Sequence, residues 1–117
     1  MSSPKPVGPY TPVVEAGGWI VCSGQVGLRD GALVDGFDAQ VVQALANLRG
    51  LLEQQGATMA DVVKTTVFLV DMADYARMNE LYVEAFGDHR PARSAVAVAA
   101  LPLGAVVEVE AWARKGG

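Results

Sequence analysis

Near its C-terminus the chain alternates apolar and charged residues through Val107, Glu108, Val109 and Glu110, then runs on into Ala111 and Trp112. Side chains of an extended strand point to opposite faces in turn. Val107, Val109 and Ala111 therefore need a covering layer, while Glu108, Glu110 and Trp112 share the other face. Such a strand requires a sheet with one dry face. It also sets two carboxylate-bearing positions about 6.7 Å apart along the strand. If that second face is partly closed off, desolvation and mutual repulsion raise at least one carboxyl pKa, as a general base requires. In open water the same two residues are ordinary surface charges.

The cover is legible upstream. Val41, Ala44, Leu45, Leu48, Leu51 and Leu52 recur at the three-and-four spacing of one helical face, with Asp38 as expected N-cap and Gly56 as stop. Asp74 is positioned to cap a second helix carrying Tyr75, Met78, Tyr82, Ala85 and Phe86 on one side. Gly87-Asp88-His89-Arg90-Pro91 ends it. Trp19–Ser23, ending at Gly24, and Val62–Val70 read as strands, with Arg29-Asp30-Gly31 as a turn. Pro91–Val96 and Val106–Trp112, joined through Leu101-Pro102-Leu103-Gly104, read as a closing hairpin. Pro4, Pro6, Pro9 and Pro12 favour an extended, pinned N-terminal arm over a helix. The expected architecture is α+β: one domain over residues 1–117, a mixed sheet with two helices packed on one face.

The opposite sheet face then needs its own cover. Apolar types make up 51 % of the chain before its 13 glycines are added, against roughly 45–50 % with glycine in typical domains. No apolar stretch reaches the roughly 18 residues of a membrane span. A homo-oligomer, burying that surface between subunits, is the economical expectation.

The formal net charge of −4 and the lack of any Lys/Arg run oppose a nucleic-acid partner. The first residues lack the apolar core of a secretory signal. Cys22 is the one cysteine and His89 the one histidine, so no internal disulfide or Cys/His zinc site is available, and a reducing cytoplasm is the expected location. Neither phosphate-cradling GxxxxGK[ST] nor dinucleotide GxGxxG occurs. The expectation is a protein without metal or organic cofactor. Cys22 reads as core and His89 as a solvated loop residue.

Arg93 opens an apolar strand, where a guanidinium is costly to bury without a partner and its fork suits a carboxylate. It is either a ligand anchor or half of an internal ion pair with a nearby glutamate. Ser23-Gly24 offers a hydroxyl and an accessible backbone N–H, or is simply a turn. Tyr10, on the stiffened arm, closes a pocket or packs.

Taken together, Gly8-Pro9-Tyr10, Ser23-Gly24-Gln25, the helix with Gln40 and Asn47, and Val62-Val63-Lys64-Thr65-Thr66-Val67-Phe68-Leu69 follow in a recognisable order. Asn79-Glu80 with Tyr82, Pro91-Ala92-Arg93-Ser94, Leu101-Pro102 and Glu108-Val109-Glu110 complete it. From about Pro6 to Ala113 the chain resembles the Rid (reactive intermediate deaminase) family, also known as an endoribonuclease or translation-inhibitor family. The resemblance implies a chorismate-mutase-like fold, a homotrimer with clefts between subunits, and cofactor-free hydrolysis of 2-imino acids such as 2-iminopropanoate and 2-iminobutanoate to 2-oxo acids and ammonia. It implies that Arg93 holds the substrate carboxylate and Glu108 activates water. The remaining cleft positions fall on Tyr10, Ser23, Gly24, Asn79 and Ala95. Many relatives carry cysteine where Ala95 stands, so a thiol role there is excluded, although its backbone can still meet a ligand. The turn from Gly87 to Arg90 is about three residues shorter than in many relatives, which alters the cleft rim. Rival readings are an endoribonuclease, a non-catalytic carboxylate-binding or chaperone-like module, and a chorismate mutase. The last is disfavoured because fold does not fix function and a single arginine motif suits a monocarboxylate.

Overall fold

The computed structural model describes residues 6–115; the first residues, Pro4 among them, lie outside the described part. Strands β1 (Val13–Ala16) and β2 (Trp19–Gln25) form a hairpin, and a small ribbon of β3 (Leu28–Arg29) and β4 (Ala32–Leu33) follows. Its turn places Asp30 and Gly31 both at positive φ, 54° and 84°, the backbone that two-residue hairpins require. Then come α1 (Phe37–Gln54), β5 (Val62–Leu69), α2 (Tyr75–Phe86), β6 (Ala92–Ala97) and β7 (Val107–Arg114).

The five long strands make one mixed sheet in the order β1-β2-β7-β5-β6. Only β5 and β6 are parallel, joined through α2; β7 is antiparallel to both β2 and β5. This corrects the expected closing hairpin, because β5 lies between β6 and β7. The burial pattern explains the placement. Val107, Val109, Ala111 and Ala113 are fully buried, and such a strand belongs in the sheet centre. On β6 only Arg93 and Ala95 are partly covered, as suits an edge.

Both helices cover one face. Val41, Leu45, Leu48, Leu51 and Leu52 of α1, with Met78, Leu81, Tyr82 and Phe86 of α2, meet Ile20, Cys22, Val67, Leu69 and the alternate β7 residues in one core. Fully burying each large apolar side chain is worth about 1.5–3 kcal/mol. Among the described residues the opposite face carries no helix, and Trp112, Val14 and Val96 stand exposed on it.

Local details differ from expectation in three places. Gly36, not Asp38, is the N-cap of α1, and Asp38 lies in the first turn, where its carboxylate pairs with Arg77 of α2 at 2.7 Å. Asp74 occupies the N-cap of α2 without a side-chain bond, while Asp71 caps the preceding 3₁₀ turn by accepting from the Ala73 amide. His89 is not simply solvated, since its Nε2 lies 2.7 Å from the Val62 carbonyl and ties the turn to β5. Among the described residues no helix is long and apolar enough to cross a membrane, and no cluster of three acidic, His or Cys side chains could hold a metal.

Candidate active site

On the helix-free face, β2 and β7 fall out of register between Cys22 and Gln25, so Ser23 and Gly24 together oppose Glu110. This β-bulge opens the sheet beside Glu108. The Glu108 carboxylate folds directly over Gly24. A Cβ built on Gly24 would meet Glu108 Oε2 head-on and stand 2.7 Å from its Cδ. A glycine inside a strand marks this kind of close approach.

The N-terminal arm roofs the opening. Ser23 Oγ donates to the Thr11 carbonyl at 2.7 Å, and the Ser23 amide donates to the Pro12 carbonyl at 2.8 Å. The Tyr10 hydroxyl accepts from the Val7 amide at 3.3 Å. Between arm, bulge and β7 lies a cavity of about 340 Å³, whose lining includes Tyr10, Ser23, Gly24, Glu108 and Glu110 with apolar Val7, Val26, Leu28 and Pro102. The Asn47 side chain of α1 holds its floor, donating to the carbonyls of Val26 and Leu28 at 3.1 and 3.0 Å.

Glu108 is half-buried, and burial pushes its carboxyl pKa above the ordinary glutamate value, with repulsion from Glu110 adding to the rise. It has no ion pair among the described residues, whose salt bridges involve Arg77 alone. Both causes are those the alternating strand led one to expect.

Arg93 lies elsewhere. In the parallel register it sits opposite Thr65, which is fully buried on the helix face. Its guanidinium therefore emerges on the helix side of the sheet edge, whereas Glu108, opposite Phe68, looks to the other side. Arg93 Nη2 donates to the Tyr75 hydroxyl at 3.0 Å, and the guanidinium carbon lies 4.9 Å from the Tyr82 ring centroid and 5.5 Å from that of Tyr75. The internal ion pair with a glutamate is absent among the described residues. Asn79 of α2 has its Oδ1 buried without a hydrogen-bond partner. Ala95 packs on the core margin two residues from Arg93.

The chain thus carries two groups of candidate residues on opposite faces of its sheet. Tyr10, Ser23, Gly24 and Glu108 come together in the first; Asn79, Arg93 and Ala95 belong to the second region. Sequence reasoning had not singled out Gln25, Pro102 or Leu28 as cavity residues, nor Tyr75 as a partner of Arg93. The one signal for Gln25 was its place after Ser23-Gly24. Cys22 is in the core, 2 % exposed, and burial pushes its thiol up to about 11, which leaves it a poor nucleophile.

The model of the family described as Endoribonuclease L-PSP matches residues 1–115. The chain belongs to this family. It is the Rid family that the motifs resembled. A 2-iminobutanoate/2-iminopropanoate deaminase of Mus musculus is 45 % identical over 117 residues, covering 97 % of this chain and 87 % of that protein. The structure of RidA from the Antarctic bacterium Psychrobacter sp. PAMC 21119 superposes with a TM-score of 0.94 at 40 % identity, covering 96 % of this chain and 93 % of the other. That of E. coli TdcF with bound serine gives 0.93 at 33 % identity, covering 97 % and 94 %. Among family members, then, the fold of this chain is an ordinary one.

Proposed function

We propose that this protein hydrolyses small 2-imino acids, such as 2-iminopropanoate and 2-iminobutanoate, to 2-oxo acids and ammonia, in clefts between the subunits of a homotrimer with the chorismate-mutase-like arrangement. The observation that carries the reading is Glu108: a half-buried, unpaired carboxylate with a raised pKa, facing a cavity lined by Tyr10 and Ser23. The mouse deaminase supports the substrate class.

Arg93 of one protomer grips the substrate carboxylate through two parallel N–H donors. Asn79 shapes the pocket, and the Ala95 backbone lines that side. Glu108 of the neighbouring protomer takes a proton from water as the oxygen attacks the C=N carbon. The C–O bond forms, and the C=N pair moves onto nitrogen, giving a neutral carbinolamine. Glu108 returns its proton to that nitrogen, accepts the hydroxyl proton as the C–N bond breaks, and passes it to the departing ammonia, so ammonium leaves, the 2-oxo acid remains and the carboxylate is restored. Ser23, the Gly24 backbone and Tyr10 hold the water and shape the pocket. Such imines also hydrolyse unaided, so positioning and one base, worth about 10²–10⁴-fold, suffice. None of these steps calls for a metal or organic cofactor.

The two half-sites support the trimer: a ligand held by Arg93 cannot reach Glu108 of its own chain through the sheet, and the exposed apolar residues of the helix-free face need cover. The family's nuclease name suggests a second reading, which the net charge of −4 opposes. The deciding experiment couples an amino-acid oxidase to semicarbazide trapping. Wild-type protein should suppress semicarbazone formation and Arg93→Ala should not. Tight 2-oxo acid binding without turnover, or RNA cleavage by the purified protein, would overturn the reading.

A further inference from the structure

Arg93, Thr65 and Tyr82 come from three elements and meet at one spot. Arg93 on β6 lies opposite Thr65 of β5 in the parallel register. Thr65 is fully buried, and its Oγ1 stands 2.7 Å from the Tyr82 hydroxyl of α2. The Arg93 guanidinium carbon in turn lies over the Tyr82 ring, 4.9 Å from its centroid. Phe86, one helical turn on, packs beside the same ring with centroids 4.6 Å apart. The Tyr82 ring is thus held at its hydroxyl by β5 and along its side by α2. Only 4 % of the residue is exposed, so it offers a ligand almost no surface of its own.

An arginine at a sheet edge has many rotamers, and a carboxylate needs its fork in one orientation. An aromatic face attracts a guanidinium through its quadrupole, more strongly as water is excluded. Such a contact restricts the side chain without occupying any of its N–H donors. It also adds no counter-charge: burial pushes the Tyr82 phenol above the ordinary tyrosine value, so the ring stays neutral. A carboxylate in that place would hold the guanidinium and neutralise it. Among the described residues Arg93 has no acidic partner.

We infer that Tyr82 is a positioning residue for ligand binding: its buried ring, fixed by Thr65 and Phe86, holds the Arg93 guanidinium ready for a carboxylate before one arrives. The inference rests on the reading of Arg93 as the carboxylate anchor. Pre-organisation of this kind removes an ordering step from binding. The carboxylate stays on Arg93 throughout the reaction. The ring therefore acts equally on bound substrate and transition state, and leaves kcat alone.

The test uses two double variants of the full-chain protein. Thr65→Val with Tyr82→Phe removes both hydroxyls together, so no buried polar atom is orphaned, and keeps the ring. Thr65→Val with Tyr82→Leu removes the ring as well. The Leu pair should raise KM for 2-iminobutanoate and Kd for 2-oxobutanoate about three- to tenfold, the effect of one cation–π contact, at unchanged kcat. The Phe pair should restore wild-type binding. Equal weakening in both pairs, or a fall in kcat with the Leu pair, would show a packing role and overturn the inference. So would wild-type binding by the Leu pair beside lost binding in Arg93→Ala, with the anchor reading intact. Wild-type binding by Arg93→Ala would remove the anchor and the inference together. A measurement that leaves the core untouched decides independently. In ligand-free Tyr75→Ala, Tyr82 is the aromatic contact left to Arg93 among the described residues. The Arg93 Nε–H order parameter from NMR should then exceed about 0.6, the limit of flexible groups. A lower value would overturn the inference.

Discussion

The Glu108 carboxylate occupies the space that a side chain on Gly24 would fill. The two residues lie on neighbouring strands at a bulge, so the proposed general base and the backbone beside it are placed by one irregularity in the sheet.

Gly24→Ala should therefore be a selective lesion. The clashing atoms are the far end of a flexible side chain, so Glu108 can swing aside at small cost in stability. The base is then misplaced, and kcat/KM should fall about 10²-fold or more while the thermal transition moves little. Steady-state kinetics beside a melting curve checks both halves.

The raised pKa of Glu108 has two readable consequences. As a base it must be ionised, so kcat/KM should rise with pH through an apparent pKa above 4.5, the ordinary glutamate value. For stability the sign is opposite. A carboxyl whose folded pKa lies above its unfolded value binds more protons in the folded state, so stability falls as pH rises through the interval between the two. Glu108→Gln should raise the melting temperature at neutral pH, lose that advantage below pH about 4, and abolish turnover throughout. A melting series against pH measures it.

Half-sites on opposite faces predict complementation. Arg93→Ala and Glu108→Gln proteins should each be inactive alone. Unfolded and refolded together in equal amounts, they should recover about a quarter of wild-type turnover, since a cleft in a closed ring needs the intact half from each neighbour. Co-refolded mixtures without activity would place both residues in one protomer's site.

Asn47 supports the cavity from behind. Asn47→Ala removes the donors to the Val26 and Leu28 carbonyls. It should cost about 1–3 kcal/mol of stability, measured by urea unfolding, and should weaken ligand binding because the cavity floor loosens.

Much of this was present in local pattern. The spacing of Val41 to Leu52 marked α1 and its buried face. The alternation of Val107 to Ala111 put Glu108 and Glu110 on one side and anticipated the burial and repulsion that raise the Glu108 pKa. Gly24 was read as the end of its strand or a turn, whereas β2 continues through it to Gln25 at the bulge. Asp38 misled: the helix starts at Phe37, after Gly36, which leaves Asp38 in the first turn paired with Arg77, a residue 39 positions away. His89 misled likewise, since its partner on β5 is distant in sequence.

Periodicity within one segment decides which of its residues share a face, because that depends only on backbone geometry repeating along the chain. By itself the sequence therefore determined both helices, the strands β2, β5, β6 and β7, and the sidedness of the helices and of β7, but not β1, β3 or β4. It left open which strands become neighbours and which way each turns, since those follow from pairing and burial summed over the whole sheet. Only the tertiary structure decided that β5 separates β6 from β7. The register on its two sides, with Arg93 opposite Thr65 and Glu108 opposite Phe68, sends those residues to opposite faces of the sheet.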